Sequence, residues 1–406
     1  MLRGEALREL GRNAEALAAF EQARDEAPPA SVEAARAWYE IATVQRLLSR
    51  VDAAWQALDL AEPVAARLGE TRWQSAIHYL RGNLCFARGD GAGCAREHTE
   101  ALALAHACGD ALAEAQALSG LGDAHYAAGR MQSAVDAFAR CVAACERAGA
   151  LRFAVTNRAM LGWSRRWSGQ SEESLRELEA AGQAAVAMAH RNAEAMVTES
   201  RGLLLSWSGD PEARPTLERA IRLSHEVGMR RFEMISRVGL AGVLRRDGAH
   251  EEALAMAREA WAQCVEVGAQ AFAGPLVLIE IAAGTPDPAE AEDALREAER
   301  LLARGAVAHN NFVGVPEAMR IRLRQGRHDE VLRLADALEA RVRDEPNLWV
   351  THHVAVARCL VRAARGPLDA ELRAELEGLR GEARRCLLRQ SEQDIERALA
   401  GGAAAA

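Results

Sequence analysis

Four glycines constrain what this chain can fold into. Gly89, Gly129, Gly169 and Gly209 lie forty residues apart each time, and each is followed by a polar residue, as in Gly89-Asp90 and Gly129-Arg130. A second glycine stands seven residues before each of them, at Gly82, Gly122, Gly162 and Gly202. A fixed period of this length marks stacked supersecondary units, each of which buries its apolar face only against the next. The later glycine of each pair makes the turn of a helical hairpin. The earlier one removes a side chain where the second helix crosses the first.

Apolar spacing past each turn agrees. Ala134, Phe138 and Cys141 recur at i, i+4 and i+7, as do Ala16, Phe20 and Ala23, and Ala253, Ala257 and Ala260, so each trio shares one helix face. These matches follow the tetratricopeptide pattern, with about forty residues per unit in place of thirty-four, which predicts longer helices or longer loops. The expected fold is all-α: a right-handed superhelical solenoid of about ten antiparallel hairpins, with turns near Gly11, Ser49, Gly89, Gly129, Gly169, Gly209, Gly248, Gly284, Gly326 and Gly366. The array is expected over residues 1–366, capping helices over 367–400 and a low-complexity tail over 401–406. Pro28-Pro29 supplies a helix stop. Asp287, Pro288 and Glu290 make a helix start with an N-cap, a proline at N1 and a capping-box acid. Gly4 already holds the close-packing position of the first hairpin, which reads as a cut inside a longer protein or as an end covered by a partner.

Composition removes several functions. Hydrophobic residues make up 50% and aromatic ones 4%, a balance carried by alanine and leucine that favours helix on helix. The formal net charge of −8 disfavours nonspecific nucleic-acid and anionic-membrane binding. Every basic residue is arginine, so no phosphate loop ending in Gly-Lys and no Schiff-base amine is available. Eight cysteines without a Cys-x-x-Cys pair, and no secretory leader, predict reduced thiols and a cytoplasmic protein. The longest apolar stretch, 271–284, is broken by Pro275 and Glu280 and is too short to span a membrane. Neither catalytic residues nor a cofactor is expected.

In such a solenoid the first helix of each hairpin lines the concave face, through residues at i, i+3, i+7 and i+10. The glycine register puts Arg36, Tyr39, Thr43 and Arg46 there, then Ala76, Tyr79, Asn83 and Phe86, then Gln116, Ser119, Asp123 and Tyr126, then Thr156, Ala159, Trp163 and Arg166. All three tyrosines of the chain fall on this set. Rings with polar tips beside amides and arginines suit an extended peptide. The partner-binding residues are therefore expected to be Tyr39, Tyr79, Asn83, Phe86, Gln116, Asp123, Tyr126, Trp163 and Arg166.

Other constellations read as packing. Cys94 and His98 stand at i, i+4 and have metal-ligand spacing, as do Cys141 and Cys145, but Cys94, His98 and Cys141 replace core positions of the repeat. No metal site is expected. Trp167 and Trp207, one period apart, are expected to close hairpin ends, His309-Asn310-Asn311 to form a loop that caps a helix, and His352 and His353 to point to different faces.

One set of residues is more specific than the scaffold. Leu80-Arg81-Gly82-Asn83-Leu84, Cys94 with His98, Gly120-Leu121-Gly122-Asp123-Ala124 running to Tyr126 and Gly129-Arg130-Met131, and Arg140-Cys141-Val142 are followed by Arg231-Phe232-Glu233, Gly274-Pro275, His309-Asn310 and Glu345-Pro346 with Trp349. On these residues the chain, from about residue 80 to 366, resembles the C-terminal tetratricopeptide region of large bacterial signalling proteins. Those proteins carry a class III adenylate/guanylate cyclase domain followed by an AAA-type ATPase module. The resemblance implies a regulatory arm of such a protein, with catalysis in a neighbouring segment. A sensing arm of an ATPase-coupled transcription regulator is the alternative.

Overall fold

The computed structural model describes residues 1–401 except 10, 11, 49 and 89. The turns expected at Gly11, Ser49 and Gly89, and residues 402–406 of the tail, lie outside the described residues. Twenty-one α-helices follow one another without a strand among the described residues. They pair as α1 (Leu2–Glu9) with α2 (Asn13–Glu26), α3 (Val32–Leu47) with α4 (Val51–Arg67), α5 (Thr71–Arg88) with α6 (Gly91–Cys108), α7 (Ala111–Ala127) with α8 (Met131–Ala148), and α9 (Leu151–Trp167) with α10 (Ser171–Ala187). The series continues with α11 (Arg191–Ser208) and α12 (Ala213–Glu226), α13 (Arg230–Arg246) and α14 (His250–Glu266), α15 (Gln270–Gly284) and α16 (Pro288–Ala303), and α17 (Val315–Arg324) and α18 (His328–Arg341). It ends with α19 (Leu348–Arg365), α20 (Ala370–Arg385) and α21 (Arg389–Leu399). This is the all-α tetratricopeptide-type solenoid of hairpins that the repeat requires.

The long period resides in the helices. From α5 to α11 each helix runs 17 or 18 residues. Turns of two or three residues join them, and left-handed backbone recurs every twenty residues, at Gly109, Gly129, Gly149, Gly169, Ala189 and Gly209. Forty is therefore two long helices and two tight turns. Ala189 shows the constraint by exception, since an alanine holds φ +50 where its counterparts are glycine.

Inside the hairpins the earlier glycines do what their spacing demands. A Cβ at Gly122 would lie 2.5 Å from the Phe138 ring, one at Gly82 2.5 Å from His98, one at Gly202 2.8 Å from Leu217, and one at Gly4 2.6 Å from Phe20. Phe20 and Phe138 are fully buried, and each contributes about 1.5–3 kcal/mol through apolar burial. At the expanded turn, Asp287 caps α16 by accepting from the Ala289 amide at 2.9 Å. Glu290 accepts from the Thr285 hydroxyl, which in turn accepts from the Asp287 amide at 3.2 Å. The acid therefore reaches the N-cap through a hydroxyl relay. The stretch expected to be a His309-Asn310-Asn311 loop is helical instead: Asn310–Gly314 forms a π-helical turn that runs into α17. The Asn310 side chain donates to Phe272 O at 2.7 Å, which holds a residue type read as a turn former inside a helical backbone.

The chain divides into two compact units, one of Met1–His125 and Asp136–Ala154, the other of Tyr126–Val135 and Val155–Ala406. No helix among the described residues is long and apolar enough to cross a membrane.

Candidate partner-binding groove

In the first unit the expected stripe lies on α3, α5 and α7. Arg36, Tyr39 and Thr43 are half-buried and Arg46 exposed; Ala76, Tyr79 and Asn83 are half-buried and Phe86 exposed; Gln116, Ser119 and Asp123 are half-buried. Each of these helices turns its other side into the core, where Ala37, Ile41, Ile77, Leu84, Ala115 and Leu118 are buried. Tyr39 packs edge-on against Trp73, with ring centroids 5.6 Å apart. Tyr79 tilts against His98 at 5.6 Å, with the Asn83 side chain near its hydroxyl. Burial raises both phenols above their ordinary range, Tyr39 to about 12. At neutral pH these rings are uncharged donors and acceptors with an accessible edge.

The thiol and imidazole candidates sit behind that stripe. His98 fills the slot left by two glycines, since a Cβ at Gly82 or at Gly120 would strike its ring at 2.5 or 2.2 Å. Burial lowers its pKa to about 4, which keeps the imidazole neutral, and raises that of Cys94 to about 12, which keeps the thiol protonated and so withholds the thiolate a metal would need. Cys141 donates to Ala115 O at 3.1 Å and lies 4.0 Å from the Cys145 sulfur. Among the described residues no group of three His, Cys, Asp or Glu side chains forms a metal site.

The second unit treats the same stripe differently. Ala159, Trp163 and Arg166 on α9 are buried, and so is Tyr126. Trp163, Trp167, Trp207 and Trp349 form one aromatic cluster, with centroids 4.9 Å apart for Trp167–Trp349 and Trp207–Trp349 and 5.4 Å for Trp163–Trp167. Phe312 closes on Trp167 at 5.4 Å, and Trp349 Nε1 donates to Phe312 O at 2.6 Å. The Arg166 guanidinium lies 4.6 Å from the Trp349 ring and 5.6 Å from Trp207, while its Nη1 donates to Ser171 Oγ at 2.6 Å and to Cys386 O at 2.7 Å. Among the described residues no carboxylate balances this cation, and burial pulls its pKa down to about 9. Tyr126, Trp163 and Arg166 are thus occupied by partners within the chain.

A directed hydrogen-bond chain runs through the same unit. Phe272 O can only accept, so His309 Nε2, 2.8 Å away, carries the proton, and Nδ1 accepts from the Tyr126 hydroxyl at 3.1 Å. That hydroxyl accepts in turn from Trp163 Nε1 at 2.7 Å. Nearby, Glu345 Oε1 accepts from the Gln132 amide at 2.7 Å and the Ser133 amide at 3.0 Å, and its Oε2 accepts from the Ser133 hydroxyl at 2.5 Å. A carboxylate from a distant loop so caps the amides at the start of α8.

Two further features escaped the periodic pattern. Arg245 bonds Glu280 at 2.8 Å and Glu317 at 3.0 Å, Glu317 meets Arg320 at 3.1 Å, and Arg320 reaches Asp394 at 2.7 Å. The arginines hold Glu317 down at about 2, although its burial alone acts to raise it. His352 spans Glu382 at 2.7 Å and Ser391 at 2.8 Å, while His353 packs on Trp349, so the paired histidines do serve different faces.

No protein-family model matches the sequence, and no curated protein matches it. Solved structures do. A Rap protein complexed with Competence and Sporulation Factor has a TM-score of 0.67 at 12% identity, over 86% of this chain and 97% of that one. The apo form of RapI has a TM-score of 0.56 at 12% identity, over 84% and 95%. At that identity the likeness is one of fold, and it extends along nearly the whole of each relative.

Proposed function

We propose that this chain is a non-catalytic interaction module that takes a peptide or protein partner along the stripe of α3, α5 and α7. The observation that carries the reading is that these positions keep rings and amides accessible, at Tyr39, Tyr79, Asn83, Phe86 and Gln116, while the opposite helix faces are buried. A Rap protein of similar fold was solved complexed with Competence and Sporulation Factor, which supports a binding use of the scaffold here. Partner binding by Tyr126, Trp163 and Arg166 would require their internal bonds to be exchanged for bonds to the partner. The productive set is therefore Tyr39, Tyr79, Asn83, Phe86, Gln116 and Asp123.

The resemblance carried by residues such as Gly120, Tyr126 and Glu345 extends the proposal to a regulatory arm beside a cyclase or ATPase module, and the lack of lysine leaves phosphate-loop chemistry to that neighbour. The alternative is an arm of an ATPase-coupled transcription regulator, with DNA contact made elsewhere because the net charge is −8. The test is a binding screen of the purified chain against peptide pools, read by the rise in melting temperature that selective binding to the folded state produces. Tyr79→Ala with Asn83→Ala and Gln116→Ala is expected to abolish the rise. An unchanged rise, or nucleotide turnover by the chain itself, would overturn the proposal. The reading frame on either side of Met1 and Ala406 separates the two settings.

A further inference from the structure

Asp123 is the only acidic residue on the first unit's stripe, and no hydrogen bond or ion pair reaches its carboxylate among the described residues. Three other acids on α4, α6 and α7 are paired instead. Glu97 lies 2.8 Å from His78, Glu114 lies 2.6 Å from Arg147, and Glu62 lies 2.8 Å from Arg81. The titratable groups that face Asp123 are Tyr79 from α5, Cys94 from α6 and Cys141 from α8, and His98 of α6 packs on α7 beside them at Gly120. Burial raises the phenol and the Cys94 thiol and lowers the imidazole to about 4, while the hydrogen bond with Cys145, together with burial, raises Cys141, so all four are neutral near pH 7. A lone carboxylate thus stands half-exposed among neutral walls that withhold solvation from it. Burial alone pushes its pKa to about 7.

A carboxylate held this way lacks one thing, a cation that enters from the groove. Its surroundings fit a cation on a flexible apolar stem, since Tyr79 is half-buried and Phe86 is 44% exposed on the adjacent helix, and an arginine or lysine stem lies well on such rings. Gln116, two turns before Asp123 on α7, has no side-chain partner among the described residues, and Asn83 offers a second amide for a peptide backbone. The net charge of −8 favours approach of a basic ligand.

We infer that Asp123 anchors the basic side chain of an extended peptide laid along the stripe of α3, α5 and α7, with Gln116 and Asn83 on the peptide backbone. This rests on the groove reading above and adds the chemistry of the partner. The ion pair forms with the ionised carboxylate, so binding a cation draws the Asp123 pKa down. The gain is present above about pH 7 and fades as pH falls below it.

The experiment uses the whole chain and N-terminally acetylated hexapeptide pools, each fixed at one position as arginine, lysine, glutamine or norleucine, read by competition fluorescence anisotropy. Pools fixed as arginine or lysine are expected to bind about tenfold more tightly than the neutral pools at pH 8, and the advantage shrinks toward pH 6. Asp123→Asn is expected to erase both the preference and its pH dependence, and Asp123→Glu to retain part of the preference. Melting curves of both variants confirm the fold. Peptides that bind with no basic preference, or with the same preference in Asp123→Asn, overturn the inference and leave the groove reading standing. A preference seen only in unacetylated pools assigns Asp123 to the chain amine and overturns the side-chain assignment. If no pool binds, both readings fall.

Discussion

The two units use one repeat in opposite ways. On α3, α5 and α7 the inward stripe stays partly exposed and polar; on α9 the equivalent positions Ala159, Trp163 and Arg166 are buried, Trp163 against Trp207 and Arg166 against Trp207 and Trp349. Helix α15 shows the same enclosure, with buried residues on every side from Ala273 to Ala282, whereas α3 buries only one face. A stripe that packs on its own chain stabilises the fold, and one that does not remains free for a ligand. The repeat itself does not decide which.

The largest test of this contrast is Trp167→Ala, which removes a fully buried ring from the aromatic cluster and is expected to cost about 3–5 kcal/mol in urea unfolding. Tyr79→Ala on the open stripe is expected to cost about 1 kcal/mol. Equal costs would erase the distinction between the units. Next comes Gly122→Ala, whose methyl meets Phe138 at 2.5 Å. Overpacking by about 1–3 kcal/mol would show that the first unit is as tight within its hairpins as it is open along its stripe.

Smaller still, Glu345→Gln is expected to lose about 1–2 kcal/mol and to speed amide exchange at Gln132 and Ser133, with no change at the first unit's stripe. The last test is a pH slope. The folded state holds His309 at about 4, below the value of roughly 6.5 for a free imidazole, so between these limits the unfolded chain binds more protons. Stability is therefore expected to rise with pH across that window and to level off above it. His309→Gln, measured by melting temperature from pH 4 to 7, removes one proton's share of the slope and leaves the shares of His98 and His353, also held low.

Much of this architecture was legible in residue types. The paired glycines located the hairpins because a Cβ at Gly82 or Gly122 has nowhere to go, and Ala16 with Phe20 marked a face that is indeed buried. The closed interior of the second unit was not legible. Periodicity encodes contacts between neighbouring repeats, whereas Tyr126 meets His309 across 183 positions and Ser133 meets Glu345 across 212. A signal did exist. Tyr126, His309 and Glu345 belong to the residues that stood out from the scaffold, and each of them makes one of these long-range bonds, while Trp349, from the same set, packs on Trp167. The depressed imidazole of His309 and the raised carboxyl of Asp123 depend on desolvation, which no spacing rule reports.

The bond from Tyr126 to His309 also limits how this protein can vary. An open stack of hairpins accepts a whole extra period, because each unit touches only its neighbours. Once the two ends of a stretch are tied by a tyrosine hydroxyl, a histidine and a capping glutamate, the hairpins between them become a fixed number, like the staves of a cask. Duplication or loss of forty residues is thus tolerable among α3 to α6 and forbidden between α9 and α16.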